Sequence, residues 1–291
     1  MSLLALALLA LGQAADASSA DPLYREALER GLVVEGVEVK LPAPILRAGM
    51  PEADRRAALK GAIDLPIDEF LRDSPNAPFK LKLRDVPYPG GVVRVVDLWF
   101  AVHASLDELD LDQLAGKGDQ ETTEEVGNMR FSARTLTDAD LKARSIVPPV
   151  GGLDRRAFSK GILLDKVEVS SVNHIVASKA NGALVIASRT DPAFDQDAAF
   201  PNRWTLLPGP GAKKGTTPPK VYVGSVGYTR VDPVSEKPSI LLVESHLAFA
   251  EPKGWFNGAS ILRSKIGLIA QDQIRKLRRE IASRRKNPAK P

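Results

Sequence analysis

Two periodicities meet in residues 240–285. Residues 240–250, ILLVESHLAFA, pass through EPKGWF at 251–256 into SILRSKIGLIAQDQIRKLRREIASRR at 260–285. In the first part Ile240, Leu242, Glu244 and His246 share one face, and Leu241, Val243, Leu247 and Phe249 share the other, the alternation of a strand. In the last part Leu262, Ile266, Ile269, Ala270, Ile274, Leu277 and Ile281 recur at steps of three and four. That spacing predicts one helix, about 40 Å long at 1.5 Å per residue, with a single apolar stripe and a cationic opposite side.

Strand signals dominate upstream. Phe79, Leu81 and Leu83 alternate with Lys80, Lys82 and Arg84, predicting a half-buried strand with one wet face. PYPGG at 87–91 then turns the chain into a second strand, 92–104, whose bulk on both faces predicts cover on both sides. Residues 32–40, 127–136, 163–178, 183–189 and 221–231 also read as strands, with Asn181-Gly182 as a hairpin turn. Short helices are expected from Pro51 to Lys60, from Pro66, after Ser105 with Glu108 completing a capping box, and after Thr137. Residues 116–125 read as a polar loop, and 190–220 as a long irregular connection rich in Pro and Gly. The expected fold class is α+β, a curved antiparallel sheet with a long C-terminal amphipathic helix packed across it. Residues 21–285 are expected to form one domain, whose best internal boundary is PPVGG at 148–152.

An antiparallel run of strands ending at 240–250 and closed by one long helix resembles the helix-grip architecture of the START-like lipid-binding and polyketide-cyclase proteins. The resemblance covers residues 160–285 and rests on element order, so it carries over no ligand contacts. It implies a helix lying across a concave sheet, with a hydrophobic ligand cavity between them.

Residues 3–11, LLALALLAL, are too short to span a bilayer, and Ala15-Asp16-Ala17 fits the small-residue pattern of a signal-peptidase site, although no Lys or Arg precedes the run. Residues 1–17 therefore read as a cleavable signal peptide, and the protein as exported to the periplasm, cell envelope or medium. The chain has no Cys, which excludes disulfides, thiolate metal sites, a cysteine nucleophile and an acylated lipoprotein anchor. The net charge of +4 is unevenly placed. Residues 263–290 set ten Lys and Arg against only Asp272 and Glu280, so the remainder is net negative. Residues 286–291 read as a disordered basic tail.

Glu244 and His246 share a strand face, where such a pair either meets a polar ligand head or forms an internal hydrogen bond. Trp255 and Phe256, like Phe200 and Trp204, put aromatics in loops, as a lip over a cavity or as staples to the core. Glu244, His246, Trp255 and Phe256 are the candidate ligand-binding residues. Arg275, Arg278, Arg279, Arg284 and Arg285 are the candidates for contact with an anionic lipid surface, the plainer reading being a solvated helix face. Export argues against nucleic acid as a partner. Asp191, Asp195 and Asp197 lack the spacing of a calcium loop, and His103, His174 and His246 lack zinc spacing, so no metal or cofactor is assigned. With no G-x-S-x-G elbow, S-x-x-K or P-loop, no catalytic residue is assigned either. The expectation is an exported, non-enzymatic protein that binds an apolar or amphipathic, lipid-like small molecule between sheet and helix. The alternative is a cell-envelope structural or partner-binding protein with a solid core, whose basic tail contacts anionic lipid or another protein.

Overall fold

A computed structural model describes residues 21–286 apart from 48, 110–120, 127, 150–153, 181, 209–217, 237–238 and 257–260. The leader, most of the 148–152 boundary and the tail beyond 286 lie outside the described residues. Helix α1 (Pro22–Glu29) begins at Asp21, whose carboxylate accepts from the backbone N–H of Leu23 and Tyr24. Residues 32–40, expected as one strand, form a tight hairpin of β1 (Leu32–Val34) and β2 (Val37–Val39). Glu35 and Gly36 both take positive φ, 45° and 81°, which is what a two-residue hairpin turn requires. Helices α2 (Glu52–Ala62) and α3 (Ile67–Phe70) start directly after Pro51 and Pro66, each with acids in its first turn.

Strands β3 (Lys80–Tyr88) and β4 (Gly91–Val102) pair with Tyr88 opposite Gly91, so the turn is shorter than PYPGG and the register is fixed. A Cβ on Gly91 would sit 2.2 Å from the Glu251 carbonyl oxygen, so only glycine admits the neighbouring strand there. Ser105 and Glu108 make their reciprocal cap bonds, but residues 106–108 form a turn, and the continuation lies outside the described residues. Part of the expected polar loop is a strand, β5 (Thr122–Val126), paired with β6 (Met129–Thr135). Helix α4 (Asp138–Lys142) carries a complete capping box from Thr137 and Asp140. Strand β7 (Asp154–Leu163) was not legible because its side chains are half-buried on both faces and show no alternation. It turns at Leu164 and Asp165, both at φ 54°, into β8 (Val167–Ala180), which pairs on to β9 (Ala183–Thr190). Short β10 (Arg203–Leu206) and β11 (Lys220–Val221), then β12 (Ser225–Glu236), β13 (Ser239–Pro252) and helix α5 (Ile261–Lys286), complete the chain.

Strands β3 to β13 form one large antiparallel sheet, ordered β3-β4-β13-β12-β9-β8-β7-β6-β5, with β10 and β11 alongside β8. Among the described residues the fold is thus α+β, an open sheet with a C-terminal helix. β4 and β13 divide two cores by strand alternation. Leu98, Phe100, Leu241 and Val243 cluster with Ala270, Ile274, Leu277 and Ile281 of α5. Trp99, Ala101, Ile240 and Leu242, one residue out of phase, cluster instead with Leu46, Leu59, Ile63 and Phe70 of the N-terminal segment. The wet face expected for β3 is interrupted at Lys80, which is buried, its ammonium donating to the Ala62 carbonyl (2.8 Å) and pairing with Asp64 (2.6 Å).

Candidate functional site

The α5-facing side of the sheet holds a cavity of about 90 Å³ beneath the first half of the helix. Met129 and Phe131 of β6, Leu163 of β7, Phe249 of β13, and Leu262 and Ile269 of α5 make it mostly apolar. The same strand faces bring Ser159, Ser171, Asn173 and Ser225 to it. Ser159 stands opposite Ser171, and Asn173 opposite Thr190, so register alone stacks these groups across β7, β8, β9 and β12. They form a continuous ladder. Ser159 Oγ lies 3.2 Å from Ser171 Oγ, and Asn173 Nδ2 donates to both hydroxyls (3.3 and 3.2 Å). Thr190 Oγ1 donates to Asn173 Oδ1 (3.3 Å) and lies 3.3 Å from Ser225 Oγ. A hydroxyl has two lone pairs and a rotatable proton, so this ladder can take a further polar partner without breaking up. Gly161 also borders the cavity, and a Cβ there would press to 3.2 Å on the Phe131 ring.

Trp255 lines the same cavity. It stacks on Tyr222 (centroids 5.9 Å apart, 21°) and meets Trp204 edge-on at 6.0 Å. Its indole Nε1 is buried without a hydrogen-bond partner among the described residues, a costly state for a donor. Burial pushes the Tyr222 phenol above its usual range, which keeps it neutral. Phe256 is buried in the surrounding apolar cluster, against Trp255 at 6.1 Å.

Glu244 and His246 lie on the opposite side of the sheet, so the four candidate ligand residues do not come together. Both are sealed, at 0% and 1% exposure. His246 Nδ1 donates to Asp97 Oδ1 (2.8 Å), and its Nε2 lies 3.7 Å from Glu244 Oε2. Glu244 also accepts from Trp99 Nε1 (3.0 Å) and from the backbone N–H of Ile45 (3.0 Å). Burial alone would lower the His246 pKa, but the Asp97 and Glu244 carboxylates outweigh it and hold the imidazole above its ordinary value. Tyr228, 4.9 Å from the His246 ring, donates its hydroxyl to the Pro42 carbonyl (2.6 Å). This cluster ties residues 42–45 to the sheet.

The remaining candidates have structural partners. Asp191 pairs with Arg156 (2.8 Å) and Asp197 with Arg144 (2.6 Å), while Asp195 accepts from Asn202 (2.7 Å). Arg144 and two backbone N–H groups hold the Asp197 carboxyl down at about 2. His174 lies 2.7 Å from Asp154, and His103 2.7 Å from the Leu71 carbonyl oxygen. Among the described residues no group of His, Asp and Glu could hold a metal ion. On α5, Arg279 and Arg285 are exposed, and Arg275 and Arg284 half-buried. Arg278 departs from the expected cationic face, because it is buried against the sheet.

The polar ladder was not found from sequence, since its members sit on four strands and only register aligns them. One trace was available, the alternation Val169-x-Ser171-x-Asn173-x-Ile175 within β8. The chain matches no protein-family model, and no curated protein matches it in sequence.

Proposed function

We propose that the protein binds a small amphipathic molecule, without catalytic chemistry, between a curved sheet and α5 packed across it. One observation carries this reading: a single cavity sets an apolar wall beside a ladder of hydroxyl and amide groups. An alkyl or aromatic group entering it is worth about 25 cal/mol per Å² removed from water, and the ladder offers hydrogen bonds to a polar end. A volume of about 90 Å³, against about 150 Å³ for a cavity that takes benzene, suits a short alkyl chain rather than a sterol. In this reading residues 1–17 are a leader removed on export, and the ligand is met in the cell envelope or beyond it.

Native mass spectrometry of freshly purified protein, with titration of short-chain fatty acids and alcohols followed by tryptophan emission, tests the reading. Saturable one-to-one binding is expected, lost in Ile269→Trp, which fills the cavity. Ser171→Val should weaken polar-ended ligands and spare plain alkanes. No saturable binding at any chain length, or undiminished binding by Ile269→Trp, overturns it.

The second half of α5 favours the other reading. Ala270, Ile274, Leu277 and Ile281 are all buried against the sheet while Arg279 and Arg285 stay exposed, as a solid-cored envelope protein with a basic contact surface requires. Deleting residues 284–291 and measuring binding to anionic liposomes separates a lipid role for the tail, which the deletion abolishes, from a protein-partner role.

A further inference from the structure

A second hollow, of about 210 Å³, lies at the other end of α5, among the last turns of the helix, the end of β4 and the loop after α3. Arg72 and Asp73 of that loop, His103 just past β4, and Arg278 and Arg285 of α5 line it. Arg278 sets its character. The residue is 8% exposed; Nε donates to the Ala101 carbonyl (3.0 Å), Nη1 to the Ala77 carbonyl (2.5 Å), and Nη2 is buried with no partner among the described residues. Its fork meets two carbonyl dipoles and lies 6.0 Å from the centre of the Phe100 ring, with no carboxylate against it among the described residues, and burial pulls the guanidinium down to about 10. A buried cation with one edge unpaired is costly, and the group that matches a guanidinium edge best is an oxyanion.

The neighbouring charges leave a positive excess. His103 Nε2 faces the Leu71 carbonyl at 2.7 Å, and its Nδ1 is 4.0 Å from Asp73 Oδ2. Arg285 is shared with Glu108 at 3.2 Å, outside the lining. Among the described residues Asp73 is thus the one carboxylate lining the hollow, against Arg72 and Arg278 as well as the shared Arg285.

We propose that this hollow binds one phosphate-class oxyanion, which accepts from Nη2 of Arg278 while Arg72 closes over it from the rim. The arginines come from a loop and from two turns of a helix, which suits a tetrahedral group better than a planar carboxylate. Ile269 and Arg278 stand about 13 Å apart along the helix, so this site is separate from the apolar cavity and does not rest on that reading. The phosphate has two sources, a soluble phosphate or the headgroup of an anionic lipid.

Calorimetric titration of the full mature chain with inorganic phosphate, against sodium chloride at matched ionic strength, tests the site. Vesicles of phosphatidylcholine with and without phosphatidic acid form the second arm. A saturable single-site heat is expected. Arg72→Gln should weaken it about tenfold, the loss of one charge-assisted hydrogen bond. Asp73→Asn, which removes the opposing charge, should strengthen binding. Both residues are exposed, so neither variant should move the urea midpoint, and the test stands even where Arg278→Met fails to fold. Vesicle binding that needs phosphatidic acid and is displaced by inorganic phosphate identifies a headgroup, and phosphate binding without vesicle binding identifies a soluble source. No saturable heat, or binding that both variants leave unchanged, overturns the proposal.

Discussion

His246 is held between two carboxylates in a place water does not reach, and that fixes what its removal does. His246→Gln leaves Asp97 and Glu244 buried without their shared cation, so a loss of about 3–5 kcal/mol is expected. The effect has a pH signature. A group whose folded pKa is raised stabilises fully below its unfolded value, and that stabilisation disappears as pH rises through the folded value. The urea midpoint of the wild type should therefore exceed that of His246→Gln most below about pH 6.5, and the gap should narrow at higher pH. A gap that does not change with pH would mean that folding leaves the imidazole pKa unshifted, and a gap that widens as pH rises would mean that the fold holds the ring neutral. The pairing of Glu244 with His246 was visible in the alternation of one strand, but Asp97 and Ile45 were not, because they arrive from β4 and from a loop nearly two hundred residues away.

The stripe on α5 separates residues that look alike in composition. Ile274 is buried in one cluster with Phe100 and Val243, whereas Leu268 is 55% exposed. Ile274→Ala should cost about 2–5 kcal/mol in urea unfolding, and Leu268→Ala should stay within about 0.5 kcal/mol of wild type. Equal costs would place the helix elsewhere than on this core. Period-three-and-four spacing made α5 legible almost to its ends, and period-two spacing did the same for β4 and β13, while β3 was legible only to Arg84 because Pro87 and Tyr88 read as turn. β7 escaped because Arg155, Arg156, Ser159 and Lys160 interrupt its apolar positions, and β1–β2 because its turn uses Glu35 where asparagine or glycine would have signalled a reversal. Arg278 was misplaced for a related reason: a helix stripe marks where apolar side chains go, and does not reveal a cation that reaches backbone carbonyls beneath it.

The whole chain depends on pairings that its sequence order does not supply. β4 lies between its hairpin partner β3 and β13, the last strand, so among the described residues the β3–β4 hairpin joins the sheet only through β13. A chain ended after Glu236 lacks β13 and α5, and should show no cooperative urea transition. A sharp two-state transition in that truncated chain would mean that β3–β4 finds its core without β13. If residues 1–17 act as a leader, N-terminal sequencing of protein recovered outside the cytoplasm should read from Ser18, and recovery of the intact Met1 terminus there would contradict it.

The β4–β13 seam also bears on biogenesis. Contacts this distant along the chain form slowly, since the ends must meet before any reward is gained. A nascent polypeptide wired this way cannot complete the β4 seam until its last strand has been made.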